Sequence, residues 1–135
     1  MTAVDTNVMV RFLVRDDEKQ ARAVYHRLKE AEKTDRSFLV PLVSLVETIW
    51  VLESAYGKER SQIVDAIDDM RRMPVFEFQM DEAVEKMIAN APGRGADLAD
   101  LLIAFSAQFE GSQSGITFDQ KAAKLNFFTL LEAET

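Results

Sequence analysis

The chain has 135 residues, of which 47% are hydrophobic, and this is typical of one globular domain that is long enough to bury a core. It contains no cysteine and a single histidine, His26, which excludes thiol catalysis, disulfides and thiolate zinc sites, and argues against histidine-based triads and metal sites. The net charge of −7 by itself argues against a nucleic-acid partner, because non-specific binding of nucleic acids relies on Lys and Arg side chains at the phosphates.

Strands and helices alternate along the whole chain. Up to Gly57 the pattern predicts a strand end at Ala3-Val4, a helix capped by Thr6 that extends to Leu13, a charged amphipathic helix over residues 17–33, a buried strand over 38–40 and an apolar helix over 43–56. Beyond Gly57 it predicts helices over about 60–72, 81–91 and 97–109, strands over 75–78, 115–118 and about 127–131, and a short helix from Lys121.

This alternation is typical of a parallel sheet covered by helices. We therefore predict one α/β domain over residues 1–135, in which a small parallel sheet is flanked by helices on both faces. No apolar run approaches the thickness of a bilayer, and the N-terminus lacks the features of a signal peptide. We expect a cytoplasmic protein without membrane contact.

Two aspartates directly follow predicted strands, Asp5 after the first and Asp119 after the strand over 115–118. Ligands of open α/β sheets bind beyond the carboxyl ends of the strands, so both side chains are expected at that edge. A helix cap explains either aspartate alone equally well.

Glu47 lies within the apolar run LVETIWVL, residues 45–52. At about 100° per residue it shares a stripe of the helix with small or polar side chains, namely Ser44, Thr48, Val51, Ser54 and Ala55. Such a stripe can line a cleft. Solvent exposure is nevertheless the better explanation for Glu47 taken alone, because most Glu side chains are exposed.

Asp97 and Asp100 are three residues apart and therefore neighbours on one helix face. Like charges at this spacing repel, and Asp is a poor helix former, so a purely structural role explains this pair less well. Carboxylates without His or Cys suit hard ions such as Mg²⁺ or Mn²⁺, which activate water and stabilise charge on phosphoryl oxygens. Acids that converge on a cation also make the net charge a poor guide to the substrate.

Four short motifs occur in order on the predicted elements: Val4-Asp5-Thr6-Asn7, Ser44-Leu45-Val46-Glu47, Asp97-Leu98-Ala99-Asp100-Leu101-Leu102-Ile103-Ala104, and Thr117-Phe118-Asp119 followed by Lys121-Ala122-Ala123-Lys124-Leu125. Together they resemble the PIN-domain nucleases, and their order and spacing are most similar to the VapC-type toxins of toxin–antitoxin pairs. The resemblance covers the whole chain. Each motif alone is weak, but four in order are a specific signal.

The resemblance implies a Mg²⁺- or Mn²⁺-dependent endoribonuclease. Its catalytic metal site would consist of Asp5, Glu47, Asp100 and Asp119, with Asp97 in a supporting or second-metal role. It also implies an RNA substrate, a homodimer, and inhibition by an antitoxin protein encoded beside the toxin. The RNA target and its sequence preference stay open.

Further residues near these acids are candidates for a supporting role. Thr6, Asn7 and Thr117 would lie near the metal or the scissile phosphate, although capping or strand-end roles explain them equally well. Basic residues that could hold the RNA backbone are Arg11, Arg15, Arg94, Lys121 and Lys124. Solvated surface charge is the better explanation for any one of these five.

Two other classes of protein are alternatives to the nuclease. A phospho-accepting receiver domain is also a small acidic α/β protein, but it needs an acidic pair after the first strand, where Asp5 is followed by Thr6 and Asn7. It also needs an acceptor Asp after a central strand, where this chain has Pro41. A non-catalytic binding module of the PIN fold is the other alternative, and the intact acids argue against it.

Overall fold

The structure follows the predicted alternation of strands and helices. It is a computed structural model that describes residues 1–93 and 95–135, and these form two compact units, Met1–Asp81 and Glu82–Thr135. The elements are β1 (Thr2–Ala3), α1 (Thr6–Leu13), α2 (Glu18–Lys33), β2 (Phe38–Val40), α3 (Leu42–Ser54), α4 (Arg60–Arg71), β3 (Phe76–Phe78), α5 (Asp81–Asn90), α6 (Leu98–Phe109), β4 (Gly115–Thr117), a 3₁₀ helix (Ala122–Lys124) and β5 (Phe128–Leu130).

The first unit is built on a three-stranded parallel sheet in the order β1-β2-β3. Phe38 of the central strand pairs with Thr2 on one side and with Phe76 on the other. Two helices connect each pair of neighbouring strands, as parallel pairing requires a long crossover. The predicted α/β class with parallel strands is confirmed.

The helices of the first unit bury the apolar faces that their sequence periodicity indicates. Helix α1 packs against α2 and α3. Helix α2 buries only Ala21, Leu28 and Ala31, at helical spacing, and keeps most of its charged residues in solvent. The largest fully buried side chains here are Met9, Val40, Leu45, Ile49, Ile63, Ile67 and Met70. These residues form the core of the first unit, which includes the end of β1 and the start of α3.

Two hydroxyl side chains of α3 are buried and satisfied by backbone carbonyls. Ser44 Oγ donates to the carbonyl of Val4 at 3.0 Å, and Thr48 Oγ1 donates to the carbonyl of Ser44 at 2.6 Å. Burial without these bonds would carry a desolvation penalty. Because Asp5 directly follows Val4, the bond from Ser44 holds the first turn of α3 beside the strand end that carries Asp5.

The second unit contains the parallel pair β4–β5 and helix α6. Gly115 starts β4 where a Cβ atom would lie 2.5 Å from the Phe127 ring and 2.9 Å from the Phe128 ring, so glycine permits this close approach. Helix α6 is largely apolar and buries Leu98, Leu101, Leu102 and Ala104. Across residues 1–93 and 95–135, no helix combines the length and the apolar character that crossing a membrane requires.

Two features differ from the expectation. The five described strands form two sheets instead of one, because strand pairing depends on contacts that a local pattern does not contain. The predicted cap at Thr6 is also wrong: Asp5 is the N-cap of α1 and accepts a hydrogen bond from the backbone N–H of Val8, while Thr6 is the first helical residue. A carboxylate is a strong acceptor for the free amides of a helix start.

The Ser44 bond gives a stability prediction. Ser44→Ala leaves the buried carbonyl of Val4 without this donor and should lower the free energy of unfolding by about 1–2 kcal/mol. Ser54→Ala is the matched control, because Ser54 lies on the same helix, is exposed, and bonds to the carbonyl of Trp50. It should change stability by less than about 0.5 kcal/mol. Urea unfolding of both variants measures this, and equal losses would contradict the assigned role of Ser44.

Candidate metal centre

Three aspartates of the second unit converge at one place. Asp97, Asp100 and Asp119 each offer one carboxylate oxygen, and these oxygens lie within 4.8 Å of one another. Asp97 and Asp119 are exposed, and Asp100 is partly buried. The structure thus brings together the neighbouring pair on α6 and the aspartate that follows β4.

The start of α6 leaves the Asp97 carboxylate without a capping role. Asp97 is the N-cap, with φ −70° and ψ 158°, but its side chain makes no capping hydrogen bond. Its backbone N–H lowers the pKa of the Asp100 carboxyl, one turn further along. The Asp97 carboxylate is therefore left for the cluster.

A tight turn after β4 orients Asp119. Thr117 Oγ1 accepts a hydrogen bond from the backbone N–H of Asp119 at 3.0 Å, and Asp119 Oδ1 accepts one from the backbone N–H of Lys121 at 2.9 Å. Thr117 thus has the strand-end role that the sequence allowed, and it supports a residue of the cluster. The side chain of Lys121 is exposed.

The electrostatics of the cluster favour a bound cation. Burial is the main cause that raises the pKa of the Asp100 carboxyl above its usual value. The charges of Asp97 and Asp119 raise this pKa further, and the hydrogen bond from the Asp97 backbone opposes the rise. A nearby cation would reverse these effects, because it favours the ionised form of all three groups.

The donor set fits a hard divalent ion. All three side chains supply carboxylate oxygens, which Mg²⁺ and Mn²⁺ prefer over the nitrogen and sulfur ligands that select softer metals. Exposure of two of them leaves room for water ligands, which Mg²⁺ usually retains.

The other two predicted ligands belong to the first unit. Asp5 is exposed and uses Oδ1 to cap α1, at 3.0 Å from the backbone nitrogen of Val8. Glu47 is exposed on α3, one turn beyond Ser44. In the part of the chain that the structure describes, neither residue belongs to a group of three close acidic or His ligands. The assignment of Asp5 and Glu47 to a metal site therefore stays a prediction.

Several supporting candidates lie around Asp5. Thr6 is half-buried as the first residue of α1, and Asn7 is exposed. Asn7 lines a shallow depression of about 300 Å³ together with Asp5 and Arg11. Arg94, which was predicted to hold RNA, lies outside the described residues.

Arg11 belongs to a polar network that the sequence did not indicate. Its Nε donates to Gln20 at 2.7 Å, and its guanidinium pairs with Asp16 at 3.1 Å. Tyr56, which is 40 residues from Asp16, donates its hydroxyl to the other Asp16 oxygen at 2.6 Å. That bond is the main cause of the lowered pKa of Asp16; desolvation opposes it and the Arg11 charge adds to it. The charge of Arg11 is thus largely offset within the protein.

The fold and the aspartate cluster are those of an acidic α/β nuclease domain, and residues 2–127 match the PIN domain family, so the chain belongs to that family. It is also similar to the VapC ribonuclease of Aquifex aeolicus (strain VF5), with 23% identity over 130 residues that cover 96% of each chain. The resemblance drawn from the four motifs is thereby confirmed. The receiver-domain alternative is excluded, because that is a different family.

The cluster predicts a gain of stability when one charge is removed. In chelator, Asp100→Asn relieves repulsion with Asp97 and Asp119 and should raise the free energy of unfolding by roughly 0.5–1 kcal/mol, since solvent screens these partly exposed charges. Mg²⁺ or Mn²⁺ should then raise its melting temperature less than that of the wild type. Asp65→Asn, at an exposed aspartate of α4, is the control. Thermal unfolding of the wild type and both variants, with and without metal, measures these effects. If metal raises the melting temperature of Asp100→Asn as much as that of the wild type, the site is contradicted.

The Arg11 network predicts a pH-dependent contribution to stability. A carboxyl whose pKa is lowered by folding stabilises the protein above the unfolded pKa of about 3.9, and this contribution is lost as the pH falls through the lower folded pKa. The wild type should therefore be more stable than Asp16→Asn at pH 6, and the difference should shrink below about pH 4. Urea titrations across this range measure it, and a difference independent of pH would contradict the ion pair.

Proposed function

We propose that this chain is a metal-dependent endoribonuclease that acts as the toxin of a VapBC-type toxin–antitoxin pair. The convergence of Asp97, Asp100 and Asp119 is the observation that carries the proposal. Membership of the PIN domain family and the similarity to a protein named VapC ribonuclease support it. A non-catalytic module would have no need to hold three repelling carboxylates together.

Asp97, Asp100 and Asp119 would hold a Mg²⁺ or Mn²⁺ ion. The proposal keeps Asp5 and Glu47 as further ligands on the sequence motifs alone. When bound, such an ion supplies an activated water and stabilises the charge that develops on phosphoryl oxygens.

The residues of the chain prepare this chemistry by positioning charge. The turn after Thr117 holds the carboxylate of Asp119 through the backbone N–H of Lys121, so little reorganisation of this ligand is needed when a cation arrives. Asp97 has no capping bond to break before it acts as a ligand. These features are what a preorganised acidic site requires.

Substrate contacts are proposed for the cations and polar groups near the acids. Lys121 is exposed and makes no ion pair within the described residues, so it is free to contact a phosphate of RNA. Arg11 is held by Asp16, and we expect it to position the start of α2 more than to bind RNA. Thr6, Asn7 and Arg94 remain candidates from the sequence.

An antitoxin partner, a homodimer and a cytoplasmic location are further parts of the proposal. The antitoxin follows from the likeness to a protein named VapC ribonuclease, and the location follows from an RNA substrate. An acidic site of this kind is readily blocked by an Arg side chain, whose planar fork pairs with carboxylates.

The proposal predicts that purified protein cleaves single-stranded RNA with Mg²⁺ or Mn²⁺ and stops on addition of chelator. Asp100→Asn keeps the shape of the side chain but removes the charge that holds the ion, so activity should fall by at least a hundredfold. Asp65→Asn should leave activity within twofold. Cleavage of a labelled RNA, followed by gel electrophoresis, measures both variants.

If Asp100→Asn is folded by circular dichroism and cleaves RNA as fast as the wild type at the same metal concentration, the assignment of the metal site is wrong. Activity that persists in chelator would overturn the metal dependence. In cells, the same pair of variants tests the toxin role: induced wild type and Asp65→Asn should arrest growth, and Asp100→Asn should not.

A further inference from the structure

Helix α2 carries a row of basic side chains on its solvent-exposed face. At about 100° per residue, these side chains fall within an arc of about 80° along the whole helix. They recur every three or four positions and are all exposed: Lys19, Arg22, His26, Lys29 and Lys33. This row is the α2 basic stripe. The buried residues Ala21, Leu28 and Ala31 lie on the other side of the helix.

The charge of α2 contrasts with that of the chain. The chain has 16 basic and 23 acidic residues, which gives its net charge of −7. Within α2 the balance is reversed, since five Lys and Arg side chains stand beside three Glu side chains. Basic residues gathered on one face of a helix are typical of a surface that binds nucleic acid.

Most of the charge of the α2 basic stripe is not offset within the protein. Among the residues that the structure describes, Lys19, Arg22 and Lys33 make no ion pair. Lys29 pairs with Glu32, but the distance is 3.9 Å and both side chains are exposed, so solvent weakens this pair. At least three cations are therefore available to an external anion.

The acidic side chains of α2 lie outside the stripe. Glu30 and Glu32 fall beyond its opposite edges when the residues are placed at about 100° each. Glu18 lies beyond the same edge as Glu32, and Arg15 pairs with it at 3.3 Å. Surface charge that serves solubility alone is usually mixed in sign, so that neighbours pair. The separation of signs on α2 indicates a surface for an anionic partner.

An exposed aromatic ring adjoins the α2 basic stripe. Tyr25 is 50% exposed, and the Nζ of Lys29 lies 5.5 Å from the centre of its ring. The ring of His26 meets that of Tyr25 edge to face, with 5.9 Å between the ring centres. Proteins that bind single strands use this combination, because cations contact the phosphates while bases stack on an aromatic ring.

We propose that the α2 basic stripe and Tyr25 bind single-stranded RNA, with the cations at its phosphates and one base stacked on Tyr25. From Lys19 to Lys33 the stripe is about 21 Å long, at a rise of about 1.5 Å per residue. About six nucleotides cover this length at the spacing of about 3.4 Å that stacked bases have along one strand. The stripe is thus long enough to hold a short segment of RNA.

RNA fits the stripe better than an anionic membrane does. A helix that lies on a membrane pairs its basic face with an apolar face that enters the bilayer, but the apolar residues of α2 are buried in the core. The choice of RNA among nucleic acids rests on the proposed function. The binding of a single-stranded polyanion by the stripe does not rest on it, because charge and exposure alone carry that step.

Binding in chelator tests the proposal without any cleavage. The full chain is titrated into a fluorescein-labelled, unstructured RNA of roughly 20 nucleotides, and fluorescence anisotropy gives Kd at several salt concentrations. The double variant Arg22→Gln/Lys33→Gln removes two charges of the stripe and should weaken binding at least tenfold at low salt. The slope of log Kd against log salt should fall by about 1.4, because each phosphate contact of a single strand contributes about 0.7.

Matched controls separate the stripe from the net charge of the chain. Arg72→Gln/Lys86→Gln removes the same two charges at exposed positions of α5 and the end of α4, and should change Kd less than twofold. Tyr25→Ala should weaken binding at least fivefold, whereas Tyr25→Phe keeps the ring and should bind within twofold of the wild type. Circular dichroism and melting temperature confirm that each variant is folded.

Several outcomes would overturn the proposal. Unchanged RNA binding by Arg22→Gln/Lys33→Gln would do so, and so would equal weakening by the two double variants. Binding to vesicles of phosphatidylcholine and phosphatidylserine that Arg22→Gln/Lys33→Gln abolishes, with RNA binding unchanged, would assign the stripe to a lipid surface instead.

The stripe and the proposed function can fail separately. A chain that binds RNA through the stripe but does not cleave it with Mg²⁺ or Mn²⁺ would refute the proposed function and leave the stripe intact. A chain that cleaves RNA, with the same kcat/KM in the wild type and in Arg22→Gln/Lys33→Gln, would refute the stripe and leave the proposed function intact.

Discussion

Repulsion among three carboxylates is the constraint that shapes the candidate site in the second unit. Oxygens of Asp97, Asp100 and Asp119 within 4.8 Å of one another are unfavourable unless a cation or local dipoles offset their charge. The backbone supplies part of that compensation, because the N–H of Lys121 bonds to Asp119 and the N–H of Asp97 lowers the pKa of Asp100. A divalent cation would offset the remaining repulsion.

In the first unit, buried polar groups are satisfied by neutral hydroxyl and carbonyl groups. The start of α3 lies beside the end of β1, where the Ser44 hydroxyl donates to the carbonyl of Val4, while the buried Thr48 hydroxyl is satisfied by the carbonyl of Ser44. Small polar side chains therefore appear in the same stripe as Glu47. They are there to satisfy the backbone, and Glu47 itself remains in solvent.

For the question of which substrate the chain binds, the distribution of charge over the surface is more informative than the net charge. A net charge of −7 argues against an RNA substrate only if the acids are spread evenly. Three of them are gathered at one candidate cation site, while Lys121 is exposed close by in sequence. The net charge therefore does not by itself decide whether the chain binds a phosphate-bearing substrate.

Local patterns in the sequence determined the helices to within one or two residues, the α/β class and the closeness of Asp97 to Asp100, because helical periodicity depends on neighbours a few residues apart. Only the tertiary structure decided that Asp119 joins this pair, that the strands divide into two sheets, and that Tyr56 bonds to Asp16. It also decided between Asp5 and Thr6 as the cap, since both can accept a backbone hydrogen bond. Contacts between residues far apart in the chain depend on how whole elements pack, and short-range spacing does not contain that information.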